Sequence, residues 1–321
     1  MSDKLEVIRS PFHYMGNKKK VLQNGLKAFL YEALEGNGGH LFDMMVGSGS
    51  VLYNSPHGGW GFDINKPAIM MHVFLQRHDA VERILGFYNR YFPNGDVTED
   101  SYYRLRQMEN RFYESSISPS KKEPFYFSFP DQMAILYVLT QLAFNSLMRF
   151  GPRGYNAPFG HNQKEFSIER IARAAEVSRR LGLKFMNQSF IDMDLIDLMV
   201  EGIDVAYFDP PYFITSDQYE YAGWPQWKEY ALRAQLGLLN ERNRRFILSN
   251  VARYRGHNNS SLIKFAERSG FYIYRVPTVK YQAWSNVGTT DQSKSRKTVE
   301  VLITNIETDL FEQVAPGEYY D

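Results

Sequence analysis

Short apolar runs bounded by small or polar residues occupy the two ends of this chain, and its middle carries apolar residues at helical spacing. The stretch HLFDMMVGSGSVLYN (40–54) predicts a strand, a small-residue turn and the start of a helix, and GWGFDIN (59–65) predicts a second strand that ends in an acid, with a helix from Lys66. Strand, turn, helix, strand is how a parallel α/β sheet begins. From about residue 80 the period changes. ILGFYNRYF, SYYRLRQMENRFY and DQMAILYVLTQLAFNSLMRF are aromatic-rich and helix-like, and the polar segment ESSISPSKKEPF breaks them as a loop.

The α/β rhythm returns after GPRGYNAPFG (151–160). Ser167 is placed to cap the helix IERIARAAEVSRRLG, and LKFMNQ, DVAYFD, RFILSN, FYIYRV and TVEVLITN predict further strands. PQWKEYALRAQLGLLNERN reads as a helix with Pro225 in its first turn, and SSLIKFAERSG as one with serine caps and Gly270 at its end. The expected organisation is one α/β domain, 1–75 and 166–321, interrupted by a mostly helical insertion, 76–165.

Composition narrows the function classes. The 321 residues can bury a sizeable core; 44% are hydrophobic and 23% charged, with no apolar run near bilayer length. The start MSDKLEVIRS has no signal-peptide core, and there are no cysteines, which agrees with a cytoplasmic protein. With no thiolates and only 7 histidines, no metal is expected. The net charge of +1 hides segregation: 242–297 holds 12 Lys/Arg against 2 acids, whereas 185–241 holds 2 against 10. Such a basic stretch suits phosphate, although solvated faces of opposite sign give the same counts.

Two strand ends carry the chemistry. In VGSGS, Gly47 and Gly49 allow close approach to backbone N–H groups, but Leu52 stands where a dinucleotide fingerprint has its third glycine, and the lysine of a phosphate loop is absent. Asp63, 20 residues after Asp43, is placed either to hold a ribose through both hydroxyls or to cap the following helix. Together these point to a nucleoside without a phosphate chain, and so to S-adenosylmethionine (AdoMet). The second end is YFDPPY (207–212), where an apolar strand covered on both faces is stopped by prolines that cannot donate to a ladder.

With PFHYMGNKKKVL, FDMMVGSGS, GFDIN, NSLMRFGPRGYNAPFG, QSFIDMD, YFDPPY, LSNV and VEVLITN in this order, the chain resembles the Dam-type DNA adenine-N6 methyltransferases, alpha-group amino-methyltransferases, and especially their compact phage-encoded members. The gap of about 160 residues between the glycine turn and DPPY exceeds what three strands and their helices need, by about one small domain. In the resembled family this surplus is the target-recognition domain. The resemblance implies a Rossmann-like AdoMet-dependent sheet, double-stranded DNA as partner, and methylation of adenine N6 in a short site such as GATC after base flipping.

It also implies roles. Asp209 and the carbonyl of Pro210 would accept the amine hydrogens, with Pro211 fixing the turn and Tyr212 stacking on the base. Tyr14, Asn17, Lys18, Asp43, Gly47, Gly49, Asp63, Phe190, Asp209 and Tyr219 would surround AdoMet, Lys18 meeting its carboxylate. Met148, Arg149 and Arg153 would face the bases, and Arg253, Arg255, Lys294, Arg296 and Lys297, expected in loops, the phosphates. Gly151 stands where the family commonly has asparagine, and Met45 where it often has phenylalanine. A monomer or weak DNA-bound dimer, and a separate partner nuclease, are compatible with this reading. Competing readings are a cytosine-N4 or RNA methyltransferase and a non-catalytic DNA-binding protein.

Overall fold

The computed structural model describes residues 6–14, 16–116, 130–161, 166–214, 224–254, 256–277 and 298–320. Nine strands form one mixed sheet among these residues: β1 (Leu41–Asp43), β2 (Gly59–Phe62), β5 (Lys184–Met186), β6 (Val205–Phe208), β7 (Arg245–Tyr254), β8 (His257–Asn258), β9 (Tyr272–Arg275), β10 (Val299–Thr304) and β11 (Glu312–Gln313). The remaining pair, β3 (Phe150–Gly151) and β4 (Gly154–Tyr155), is a separate hairpin. In space the order is β11-β9-β10-β7-β6-β1-β2-β5. The strands from β5 to β7 run parallel, and β10 enters antiparallel between β7 and β9.

Helices cover both faces. They are α1 (Lys19–Val21) and α2 (Lys27–Leu34), joined through a π turn, then α3 (Lys66–Leu75), α4 (Ala80–Tyr91), α5 (Glu99–Ser116), α6 (Pro130–Leu142), α7 (Ile168–Arg180), α8 (Leu195–Leu198), α9 (Gln226–Glu241) and α10 (Ser260–Arg268). Alternation along β6 sorts its side chains between two cores. Val205 and Tyr207 join the helices of the N-terminal half, whereas Ala206 and Phe208 join α8, α9 and α10. This is why DVAYFD is apolar at every position.

The expected strands are all present. Ser167 caps α7 by accepting from Arg170 N, and Gly270 takes a left-handed φ of 71° after α10. Other boundaries differ for local reasons. The glycine turn leads not into a full helix but into a single 3-10 turn, Leu52–Asn54. Asn65, not Asp63, caps α3; Pro225 is the residue before α9, and Asn259 the one before α10. Strand β7 runs on past Asn250 to Tyr254 and turns back through β8, so Arg253 lies in a strand and not in a loop.

The segment between α3 and α7 is helical and continuous with the N-terminal core. Every residue of α6 from Gln132 to Leu142 is buried, as expected of a helix apolar all round. Its Tyr137 hydroxyl donates to the Met71 carbonyl on α3 at 3.1 Å. The hairpin β3–β4 is fastened from below: Tyr155 donates to Leu147 O, and Tyr102 and Arg106 on α5 both donate to Ala157 O. Among the described residues no helix is long and apolar enough to cross a membrane.

Candidate active site

The chain leaves β1 for β2 and β5 on one side, then crosses to β6 on the other, so β1 and β6 flank a topological switch point. Ligands of open α/β sheets bind at the carboxyl ends of such strands. Asp43 ends β1, Asp63 follows β2 and Asp209 follows β6. Three acids thereby converge on one edge.

The glycine turn after β1 is braced from several directions. Gly47 N donates to Asp63 Oδ2 (2.9 Å) and Val46 N to Phe62 O (2.8 Å), while Asp63 Oδ1 accepts from Asn65 N (2.8 Å). Gly47 and Gly49 have φ of 48° and 78°, and a Cβ at either would fall 2.9 Å from the Tyr14 ring or 2.5 Å from the Tyr53 ring. Tyr14 is held by Asn65 Nδ2, which donates to its hydroxyl at 2.8 Å. Beneath the turn lies His72, wholly buried. Its Nε2 donates to Gly47 O (2.9 Å), its Nδ1 accepts from Tyr53 (3.1 Å), and its ring stacks on Phe185. Burial pushes the imidazole down to about 4, so it is neutral.

Asp209 is engaged on both oxygens. Lys18 Nζ pairs with Oδ2 at 2.8 Å, and the Tyr212 hydroxyl donates to Oδ1 at 3.3 Å. Lys18 is placed by its own N–H to Ser50 Oγ (3.3 Å) and by its ammonium to Gly16 O (3.3 Å), and it lies 5.2 Å from the Tyr212 ring centroid. Burial raises the Asp209 carboxyl and the Lys18 charge opposes that rise. Burial likewise disfavours the Lys18 ammonium, but Asp209, Tyr207 and Glu300 hold it above the usual lysine range. Asp43 is pushed well above the carboxylate range by burial and then by the Asp209 charge, and its Oδ1 has no hydrogen-bond partner.

A family model described as D12 class N6 adenine-specific DNA methyltransferase matches residues 14–280. The chain belongs to this family. It is 27% identical to modification methylase StsI of Streptococcus sanguinis, over 97% of this chain and 45% of that protein. It is 25% identical to modification methylase LlaI of Lactococcus lactis subsp. lactis, over 95% and 44%. A shorter match, 27% identical over 63% of this chain and 32% of the relative, is to type II methyltransferase M.FokI of Planomicrobium okeanokoites. The chain thus spans less than half the length of these curated relatives.

In this D12-class chain Tyr14, Lys18, Asp43, Gly47, Gly49, Asp63, Asp209 and Tyr212 are gathered at one edge of the sheet. Asn17 supports the approach, its Nδ2 donating to Ser10 Oγ (2.7 Å) and its Oδ1 accepting from Lys19 N. Phe190 lies beside them in the core of Met44 and Phe208, with Met45 packed against it. Met148 and Arg149 lie just before the separate β3–β4 hairpin, and Arg153 is exposed at its tip. Tyr219, Arg255, Lys294, Arg296 and Lys297 lie outside the described residues.

Three residues of this D12-class site were not singled out from sequence. His72 braces the turn; a lone histidine on an apolar helix face carries no signal of that. Trp224 stacks on Phe190 with centroids 5.9 Å apart. Asn156 accepts from Arg149 Nε through Oδ1 (2.8 Å) and from its terminal nitrogen through the backbone carbonyl (3.0 Å). A Cβ on Gly151 would lie 2.7 Å from Asn156 Nδ2, so the space beside position 151 is already filled by an asparagine amide.

Gly49→Ala is expected to destabilise the protein by about 1–3 kcal/mol through overpacking against Tyr53, with the left-handed backbone adding to it; urea unfolding measures this, and an unchanged midpoint would refute the close packing. Because the His72 pKa is lower folded than unfolded, the folded state binds fewer protons below the ordinary value of 6.5. Stability should therefore fall as pH drops from about 6.5 to about 4, by on the order of 3 kcal/mol from this group. The fall should be smaller in His72→Gln, which pH-dependent urea unfolding would reveal.

Proposed function

We propose that the protein transfers a methyl group from AdoMet to the exocyclic N6 of adenine in a short duplex DNA site. The observation that carries this is the Asp209-Pro210-Pro211-Tyr212 turn at the carboxyl end of β6, across the switch point from the Gly47–Gly49 turn. The residues present fit AdoMet. Asp63 offers a carboxylate at the strand end where a ribose is held, and Asp43 Oδ1 is a buried acceptor without a hydrogen-bond partner among the described residues. When bound, AdoMet supplies an electrophilic methyl group on a positive sulfur.

The chain's own residues do the rest. The lone pair of an adenine amine is delocalised into the ring, so the nitrogen is a weak nucleophile. Asp209 and the Pro210 carbonyl would each accept one amine hydrogen, holding the nitrogen toward a pyramidal geometry with its lone pair free. Positive charge grows on that nitrogen as its new bond forms, and Asp209 stabilises it at short range in a buried site. The departing amine proton has the same carboxylate as its nearest acceptor. Tyr212 offers a stacking face worth about 1–3 kcal/mol, which offsets part of the roughly few kcal/mol needed to extrude the base.

The insertion 76–165 would be the target-recognition part, with Arg149 reading a guanine edge. Two of its five N–H donors are engaged by Asn156, which fixes the guanidinium plane and leaves donors for O6 and N7. Arg153 at the hairpin tip and Arg253 on β7 would meet phosphate or base edges. GATC or a variant of it would be the site, and the Asn156 amide fills the space beside Gly151, where the family commonly has asparagine.

The reading is tested by sequencing DNA from expressing cells with single-molecule detection of modified bases. N6-methyladenine at one short motif is expected, and its loss in Asp209→Ala, with AdoMet binding still detected by calorimetry. Modified cytosine, or a variant that keeps most of its turnover, would defeat it. Arg149→Ala should relax discrimination at one base position by about 1–3 kcal/mol. A methylation profile over a randomised library that showed only a uniform loss would instead assign Arg149 to phosphate.

A further inference from the structure

We propose that Lys18 is a positioning residue for methyl transfer: its ammonium keeps the Asp209 carboxylate ionised and turned so that it can accept a hydrogen from the target amine. This rests on the adenine-N6 reading above, but it concerns a residue that the resemblance implies only for the cofactor's carboxylate.

The geometry makes Asp209 the first partner of Lys18. The ammonium is buried, sits 2.8 Å from Oδ2, and is steered there by the Gly16 carbonyl and by a main-chain bond to Ser50. An ammonium has three donors. One goes to Gly16 O and one to Asp209, so one remains for an anionic group of a bound ligand. The two roles are therefore compatible, and the Asp209 role is set before any ligand arrives.

The surroundings explain why a cation is needed. Asp209 faces the Tyr212 hydroxyl from its own turn, Tyr207 from β6 and Asp43 from β1, and Glu300 on β10 lies close enough to act on Lys18 and Tyr212. Asp63 acts on Asp43 from β2. Among the described residues, the charged groups in this ring apart from Lys18 are acids. Burial and like charge both favour a protonated Asp209, and a protonated carboxyl presents a donor where the amine hydrogen needs an acceptor. Lys18 opposes both effects, as the direction of its influence on Asp209 shows.

The test follows the Asp209 carboxyl itself. In cofactor-free protein carrying 13C-labelled aspartate, the resonance assigned by its absence in Asp209→Asn is titrated in wild type, Lys18→Met and Lys18→Arg. In Lys18→Met its midpoint should rise by about 1–3 pH units, the size of shift that removing a neighbouring opposite charge produces; Lys18→Arg should return it toward wild type. The acid limb of the single-turnover rate should move with it. Should Lys18→Met not fold, the isosteric neutral pair Lys18→Met with Asp209→Asn is expected to fold, since no charge is then left buried alone. A Lys18→Met midpoint equal to wild type, or failure of that double variant as well, would overturn the proposal, as would a rise in KM for AdoMet with no change in pH profile. Absence of N6-methyladenine from wild-type reactions would defeat the functional reading instead, and leave the titration to judge Lys18 alone.

Discussion

The site depends on how three carboxyl groups share one buried edge of a sheet. Asp43, Asp63 and Asp209 end neighbouring parallel strands, and without compensation their charges would repel across a medium that screens poorly. Each is handled differently. Asp63 is satisfied by backbone N–H groups of Gly47 and Asn65; Asp209 is paired with Lys18 and bonded by Tyr212; Asp43 has backbone bonds from Met45 and Leu52 but no cation, and burial with the Asp209 charge drives it toward the neutral form. Groups of one type placed in environments that separate their titration can take separate roles. On the proposed reading Asp209 takes the amine and Asp63 the ribose.

The frame around that edge is rigid because apolar packing and polar bonds fix the same atoms. Gly47 is held from above by Asp63 and from below by His72, and His72 is itself clamped by stacking on Phe185. A turn cannot wander when both its amide and its carbonyl are engaged. Burying α6 against α3 extends this rigidity into the inserted helices, since Tyr137 ties the two backbones together. On the proposed reading, a hairpin built on this shared core keeps a set distance from the DPPY turn, which an independent domain on a linker could not do.

Much of this was legible in the sequence, because the strands carry their burial pattern in their composition. A run such as VAYF has no polar position, so it had to be covered on both faces, and the prolines after Asp209 had to end it. Element ends were harder to read. After VGSGS the backbone uses Leu52–Asn54 for one 3-10 turn, and Tyr53 in that turn packs on Gly49 and bonds His72, which lies 19 residues further on and outside a local window. Asn65 captured the α3 cap because Asp63 was already spent on Gly47. The roles of His72 and Asn156 were illegible for the same reason: each acts on a backbone or side chain brought to it by tertiary packing. Motif residues announced themselves, and the residues that hold them did not.

Topology also accounts for how a protein of near-zero net charge can bind a polyanion on the proposed reading. Strand β7 is parallel to β6, so its far end, with Arg253 and the β8 return, emerges at the same edge as Asp209. β9 runs in the direction of β7, since both are antiparallel to β10. The last residue of β9 and the first of β10 therefore also stand at that edge, and they are the anchors of the basic stretch between them. Among the acids of 185–241, Asp192 and Asp197 lie in first helical turns and Asp194 caps α8. Phosphate attraction falls off within about 10 Å at moderate salt. What matters for DNA is therefore the charge on the edge that presents the DPPY turn, and strand direction, not overall composition, decides which charges reach it.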